Sequence, residues 1–170
     1  MSESHLEQLL AKRRNDVRQI VKEDEPTVTL VIFSLAEDWF AFPGTQIREI
    51  LAHADVFFVP GCPSSLEGVI NVRGDIESVF RLHDLMQIKP PEEEGKSAIL
   101  LARTDSMSSG LRVDQVMDVV EVPRSALQIP PAGLSEQTGL LASGVLRFRE
   151  RLVTVLDLEK VFTQYLRGMG

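Results

Sequence analysis

The sequence has a single cysteine, no long hydrophobic run and fewer basic than acidic residues. Cys62 alone can form neither an internal disulfide nor a zinc site made of thiolates, which is typical of a reducing compartment. No apolar run approaches the roughly 18 residues of a membrane span, and the polar first residues do not resemble a signal peptide. The net charge of -7 argues against a surface for nucleic acid or anionic lipid. These features predict a cytoplasmic protein without direct membrane insertion, whose partners are proteins and not nucleic acids.

The motifs of common catalytic sites are also missing. The chain contains no GxSxG, GxxxxGK[ST] or GxGxxG pattern, and its three histidines lack the spacing of metal ligands. We therefore expect no catalytic residues, no metal and no cofactor. One alternative stays open, namely a β-barrel enzyme that holds a metal or a small ligand with Asp75, Glu77 and His83.

One stretch of the chain occurs twice. Residues 68–85 (GVINVRGDIESVFRLHDL) align without gaps with residues 144–161 (GVLRFRERLVTVLDLEKV), and residues 42–51 align in the same way with residues 111–120. The alignments match Arg73 with Arg149 and Glu49 with Asp118. Self-similarity of this extent predicts two copies of one structural unit.

Runs of β-branched and aromatic residues, separated by turn residues, predict mostly strands. In the first half, we expect two strands in 27–42 with a turn at 36–38, a strand with a bulge in 45–51, a short strand at 56–59, the hairpin 68–80 and a brief helix at 81–88. A linker follows at 89–95. In the second half, we expect a strand at 97–104, a turn at 107–110, a strand pair in 111–122, a loop at 123–142 and the second hairpin from residue 144. An amphipathic helix is predicted at each end, over residues 4–23 and from Asp157, the expected N-cap of the second.

The predicted fold is mainly β. Each half has about five short strands and a small helix, too little for a stable core alone, so two packed barrels are expected. We divide the chain into an N-terminal helical extension, residues 1–25, and a domain, residues 26–170. Within the domain, the repeats cover about 29–88 and 97–157, and a C-terminal helix over 158–167 closes it.

Alternation within the hairpin 68–81 predicts a core face and a polar face. The expected core residues are Ile70, Val72, Ile76, Phe80 and Leu82. The expected polar residues are Asn71, Arg73, Glu77 and Arg81, with Arg73 just before a turn at Gly74 and Asp75. A solvated polar face with an incidental ion pair is the plainer interpretation.

The motifs FSLAEDWFAF, IREIL, GVINVRG, GLRVDQVMDVVEV and SGVLRFRERLVTVLDLEKVF, in this order, resemble the CheW-like family of bacterial chemotaxis coupling proteins. The resemblance covers nearly the whole chain from residue 28. It implies two intertwined five-stranded SH3-like barrels with pseudo-symmetry. It also implies a non-enzymatic adaptor between the cytoplasmic tip of a chemoreceptor and the regulatory domain of a CheA-type histidine kinase, next to membrane-bound receptor arrays. The receptor-binding positions that carry over are Ile47, Glu49, Gly68, Asn71, Val72, Arg73 and Gly74.

The sequence departs from the family pattern after this motif. Glu77 stands where an apolar residue is usual, and Arg81 stands where an aspartate is usual. We expect these two residues to set partner specificity, in a specialised pathway and not the main flagellar one. A module that binds its kinase but has lost receptor binding is a further alternative.

Overall fold

The computed structural model describes residues 25–64, 66–91 and 97–168. The predicted N-terminal helix and residues 92–95 of the predicted linker lie outside this part of the chain. In the described ranges, ten strands and three α-helices follow one another. They are β1 (Thr27–Leu35), β2 (Asp38–Pro43), β3 (Ile47–Leu51), β4 (Leu66–Val72), β5 (Asp75–Arg81), α1 (Leu82–Met86), β6 (Ala98–Arg103), β7 (Ser108–Val113), β8 (Gln115–Pro123), α2 (Glu136–Leu141), β9 (Ala142–Phe148), β10 (Arg151–Leu156) and α3 (Leu158–Gly168).

Most predicted elements are confirmed. The strands β1 and β2 flank a turn at Ala36, and the register of β3 against β6 shifts between Ile47 and Glu49, which is the expected bulge. Asp157 caps α3, since its carboxylate accepts a hydrogen bond from the Lys160 backbone N–H at 3.3 Å.

Three local predictions are wrong. Residues 56–59 form only a single bridge, Phe57 with Val69, because Pro60 and Gly61 end the segment. Residues 108–110 belong to β7, and the turn lies earlier, where the Thr104 N–H bonds the Met107 carbonyl. The predicted loop 123–142 contains α2, which begins because the Ser135 hydroxyl accepts a hydrogen bond from the Thr138 N–H.

The strands form two five-stranded sheets, and each sheet takes strands from both repeats. The first sheet has the order β8-β1-β2-β10-β9, and the second has the order β3-β6-β7-β5-β4. Each repeat therefore contributes its first two strands to one sheet and its last three strands to the other. The two sheets have the same arrangement of aligned strands, as the sequence repeat predicts.

Three apolar cores hold the sheets. One lies inside the first sheet and contains Leu30, Ile32, Leu146 and Val153. A smaller one lies inside the second sheet, around Ile70, Val79, Ile99 and Leu101. The largest lies between the sheets and includes the buried face of α3, namely Leu158, Val161, Phe162 and Tyr165. We call the sheets with their own cores the first and second barrels, and this mainly β fold is the predicted one.

One predicted core residue is exposed. Ile76 is 65% exposed, whereas Ile70, Phe80 and Leu82 are buried and Val72 is half-buried. A two-residue turn pairs Asn71 with Ile76 and Ile70 with Glu77, so the alternation of faces does not continue through the hairpin. Consequently, Ile76 shares the outer face with Asn71, and Glu77 points to the inside of the second barrel.

Candidate functional site

The hairpin β4–β5 turns at Arg73 and Gly74, one residue earlier than predicted. Both residues have positive φ, 53° for Arg73 and 92° for Gly74, as the two central residues of a type I′ turn require. The Asn71 side-chain oxygen accepts a hydrogen bond from the Gly74 N–H at 2.8 Å. The turn is therefore braced from its own strand, and Arg73 projects from a rigid tip.

Arg73 and Glu49 are brought together from separate stretches of the sequence. The guanidinium donates two hydrogen bonds to the carboxylate, Nη1 to Oε2 at 3.0 Å and Nη2 to Oε1 at 2.9 Å. Glu49 lies on β3 and Arg73 follows β4, and these strands are the two edges of the second sheet. The pair therefore spans the open side of the second barrel. The Arg73 side chain stays 77% exposed and available to a partner.

The other predicted receptor-binding residues are placed differently. Ile47 is half-buried against the core between the sheets, and Val72 is half-buried against the core of the second barrel. Gly68 is buried, and a Cβ at this position would collide with the Phe57 carbonyl and approach the Val56 side chain to 2.8 Å. Glycine is therefore required at position 68 because the Phe57 backbone approaches so closely.

Beside Arg73, the end of the second barrel opens into a charged cavity. The cavity has a volume of about 250 Å³, and we call it the open mouth; it is lined by Arg48, Glu49, Val72, Arg73, Asp75, Glu77 and Leu101. The Glu77 side chain is only 17% exposed. Its carboxylate lies 3.9 Å from the Arg48 guanidinium and accepts a hydrogen bond from the Ser108 hydroxyl at 3.3 Å. Both contacts are long for a carboxylate that is mostly removed from water.

The first barrel carries a copy of this arrangement. Arg149 and Glu150 form its turn with φ of 51° and 63°, and Arg149 contacts Asp118 at 2.8 Å, as Arg73 contacts Glu49. The sequence alignment matches both members of the pair.

Aromatic side chains close the mouth of the first barrel. Trp39 and Phe148 pack against its core, and the Arg151 guanidinium lies 4.6 Å from the centre of the Trp39 ring. At the aligned positions, the second barrel has smaller or charged residues, Ser108 for Trp39, Val72 for Phe148 and Asp75 for Arg151. Val72 and Asp75 line the open mouth of the second barrel, and the Ser108 hydroxyl bonds the Glu77 carboxylate beside them.

Arg81, the second predicted specificity residue, lies away from the mouth. Its guanidinium is 3.9 Å from the carboxylate of Glu67, which also accepts a hydrogen bond from Arg112 Nε at 2.7 Å. Arg112 in turn donates to the Ser97 hydroxyl at 2.6 Å. Arg81 is therefore part of an ion-pair network and is separate from the Arg73 tip.

The alternative metal site is not assembled in the described part of the chain. His83 lies on α1 and is buried, and its Nε2 lies 2.9 Å from Asp114 Oδ1, whereas Asp75 is exposed at the hairpin tip. Among residues 25–64, 66–91 and 97–168, no three His, Cys, Asp or Glu side chains are grouped so that they could hold a metal ion.

Sequence reasoning missed a second polar cavity next to the open mouth. It has a volume of about 700 Å³ and lies between the start of β3, the β6–β7 turn and the start of α3. Arg48 lines both cavities, and Arg103, Ser106 and Glu159 line the larger one. The Ser106 hydroxyl bonds the Glu159 carboxylate at 3.1 Å. No sequence pattern points to this cavity, because its residues come from three distant segments.

Comparisons with known proteins agree on one family. The family model described as the CheW-like domain matches residues 29–165. The chemotaxis protein CheW of Thermotoga maritima is 30% identical over 132 residues, which are 78% of this chain and 85% of that protein. A probable chemotaxis protein CheW of Rhizobium etli is 27% identical over 79% of this chain and 87% of its own length.

A solved structure supports the fold. The crystal structure of the scaffolding protein TtCheW from Thermoanaerobacter tengcongensis superposes with a TM-score of 0.71, covering 81% of this chain and 93% of that chain at 23% identity. At this identity, the likeness concerns the fold. In the described ranges, no helix combines the length and the hydrophobicity of a membrane span.

Proposed function

We propose that this chain, which belongs to the CheW-like family, couples a chemoreceptor to a CheA-type histidine kinase. Membership in the family makes it a non-enzymatic scaffold or adaptor in chemotaxis-type signalling. We further propose that the chain works in the cytoplasm, beside membrane-bound receptor arrays.

The Arg73–Glu49 pair carries the receptor half of the proposal. Arginine on a rigid element, exposed beside an apolar residue, is typical of a protein-binding hot spot, because its planar group engages carboxylates and carbonyls with two hydrogen bonds. Here the exposed guanidinium is held in place by Glu49, and Val72 lies beside it in the open mouth. We infer that the tip of a receptor helical hairpin lies across β3 and the Arg73 turn.

The remaining expected residues have two roles in this proposal. Ile47, Glu49, Val72 and Arg73 contact the receptor, while Gly68, Asn71 and Gly74 keep the hairpin in its shape. Glu77 and Arg81 adjust partner preference, in a specialised pathway. The kinase regulatory domain binds a different face, formed by other strand edges or barrel surfaces, so that both partners are held at once.

A reconstitution experiment tests the proposal. The cytoplasmic fragment of a chemoreceptor from the same organism is anchored to vesicles, and a CheA-type histidine kinase of that organism is added with and without the chain. We expect the chain to sediment with the vesicles and the kinase to sediment only when the chain is present. If the chain binds the kinase but never the receptor vesicles, it is a kinase-binding module; if it binds neither, the proposed coupling is wrong.

A further inference from the structure

The open mouth of the second barrel carries an excess of negative charge. It contains two arginines, Arg48 and Arg73, and three carboxylates, Glu49, Asp75 and Glu77. Arg73 and Glu49 satisfy one another through two hydrogen bonds. Arg48 alone is left near Glu77, at 3.9 Å, and no described residue pairs with the exposed carboxylate of Asp75. One negative charge is therefore uncompensated in the cavity.

Glu77 is the residue that places this charge inside the barrel. It lies opposite the buried Ile70 and precedes the buried Val79 by two positions, so it shares their inward face. A carboxylate has room for about four hydrogen bonds, and that of Glu77 has one long bond to the Ser108 hydroxyl besides the distant Arg48. Removing a carboxylate from water is costly unless a cation and hydrogen bonds compensate it. A further cation that reaches Glu77 would supply the missing compensation.

The first barrel shows what closes such a mouth. There, Trp39 and Phe148 fill the space from within the chain, and Arg151 lies over Trp39. In the second barrel, Ser108 and Val72 at the aligned positions are too small to fill it, so about 250 Å³ stays open. This volume is below the roughly 300–1,000 Å³ of common small-molecule sites. It suits one long side chain better than a metabolite.

We propose that the open mouth receives one arginine or lysine side chain from the protein partner, with Glu77 at the inner end and Asp75 at the rim. Asp75 and Glu77 are two positions apart on β5 and so project from the same face, about 7 Å apart. A cation between them gains two charge-assisted hydrogen bonds. This proposal rests on the proposed function, because it assigns a chemical preference to the same partner-binding face. It makes Glu77 a specificity-determining residue that selects partners with a basic residue at the tip.

The experiment uses two blocked tripeptides that contain no receptor sequence, acetyl-Gly-Arg-Gly-amide and the same peptide with citrulline, which has nearly the shape of arginine but no charge. Each peptide is titrated into the full ¹⁵N-labelled chain, up to a concentration of many millimolar, and the backbone amide signals are followed by NMR. We expect the arginine peptide to shift the signals of β5 and of Arg48, and the citrulline peptide to leave them in place.

Two variants make the result decisive. Glu77→Gln keeps the shape of the side chain and is expected to weaken arginine binding about tenfold or more. Glu150→Gln removes an exposed carboxylate at the tip of the other barrel and is expected to change nothing. Equal shifts with both peptides, or an undiminished response in Glu77→Gln, would overturn the proposal. Because no receptor takes part, this result is independent of the vesicle experiment on receptor and kinase.

Discussion

The Arg73 guanidinium donates two hydrogen bonds, both at 3.0 Å or less, to the Glu49 carboxylate across the two edge strands of the second sheet. In the first sheet, Arg149 donates one hydrogen bond to the Asp118 carboxylate at 2.8 Å, again across the two edge strands. An arginine–carboxylate pair therefore joins the two edge strands of each sheet, as expected for a repeated structural unit. In the second barrel, it also holds an exposed arginine next to an open cavity.

Substitution of Arg73 separates these two roles. We expect Arg73→Ala, and more strongly Arg73→Glu, to weaken capture of the receptor fragment by about 1–3 kcal/mol, because a hot-spot contact is lost or reversed in charge. The free energy of unfolding should change by no more than about 1 kcal/mol, as for other exposed ion pairs. Arg149→Ala is the matched control, since it removes the aligned ion pair with Asp118 in the first barrel and leaves the second barrel intact. Unchanged receptor capture in both Arg73 variants would refute the site.

Gly68 should be required for folding rather than for contact. In Gly68→Ala, the new methyl group would collide with the Phe57 carbonyl, and we expect the free energy of unfolding in urea to fall by about 1–3 kcal/mol. Gly144→Ala is the control at the aligned position, where the nearest atom is the Gln128 carbonyl oxygen at 3.3 Å, and its loss should be smaller. A Gly68→Ala variant that keeps full stability but loses receptor binding would instead place Gly68 in the contact.

Deletion of residues 1–24 should leave both barrels folded. Among the described residues, which begin at residue 25, the three cores take Val28 and later residues, and the family match begins at residue 29. We expect the shortened chain to keep a β-rich circular-dichroism spectrum and a cooperative thermal transition. An unfolded spectrum would show that the N-terminal extension belongs to the core.

Tyr165, the single tyrosine of the chain, should ionise only at unusually high pH. Burial raises the pKa of its phenol above the usual 10.0, and the charge of nearby Cys62 raises it further. The ring is 4% exposed and stacks on Phe80 with centroids 3.9 Å apart. Absorbance at the tyrosinate band should therefore titrate with a midpoint above 10.0 in the folded chain, and at the usual value in denaturant.

The raised pKa of Tyr165 also gives stability a pH dependence. The folded state binds the phenolic proton more tightly than the unfolded state does, so this contribution is fully present below the unfolded pKa and is lost as pH rises through the folded one. We expect the free energy of unfolding to decrease more steeply above pH 10 in the parent than in Tyr165→Phe. Cys62→Ser should lower the titration midpoint without restoring it fully. A midpoint at the ordinary value in the folded chain would contradict the stacked, buried environment.

Much of the fold could be predicted because its signals are local. Alternating apolar residues marked β1, β2, β6 and the two hairpins, the Asp157 cap marked the start of α3, and the repeat showed that one unit occurs twice. The helix α2 and the turn at Thr104 were missed, because short apolar runs and Ser-rich stretches fit several local structures equally well.

The sequence alone determined that Arg73 has a counterpart in Arg149 and Glu49 one in Asp118, and that Glu77 departs from the pattern of the family that the motifs resemble. Only the tertiary structure decided that Arg73 reaches Glu49, that Glu77 points inward while Ile76 points to solvent, and that a cavity opens between them. The physical reason is that strand alternation is set by neighbouring residues, whereas the facing partner of a side chain depends on how the chain closes each barrel with strands from the other repeat. Because the two-residue turn pairs Ile70 with Glu77, the Glu77 side chain lies on the inner face and not on the predicted polar face. The charged residue that departs from the family pattern therefore lines the cavity.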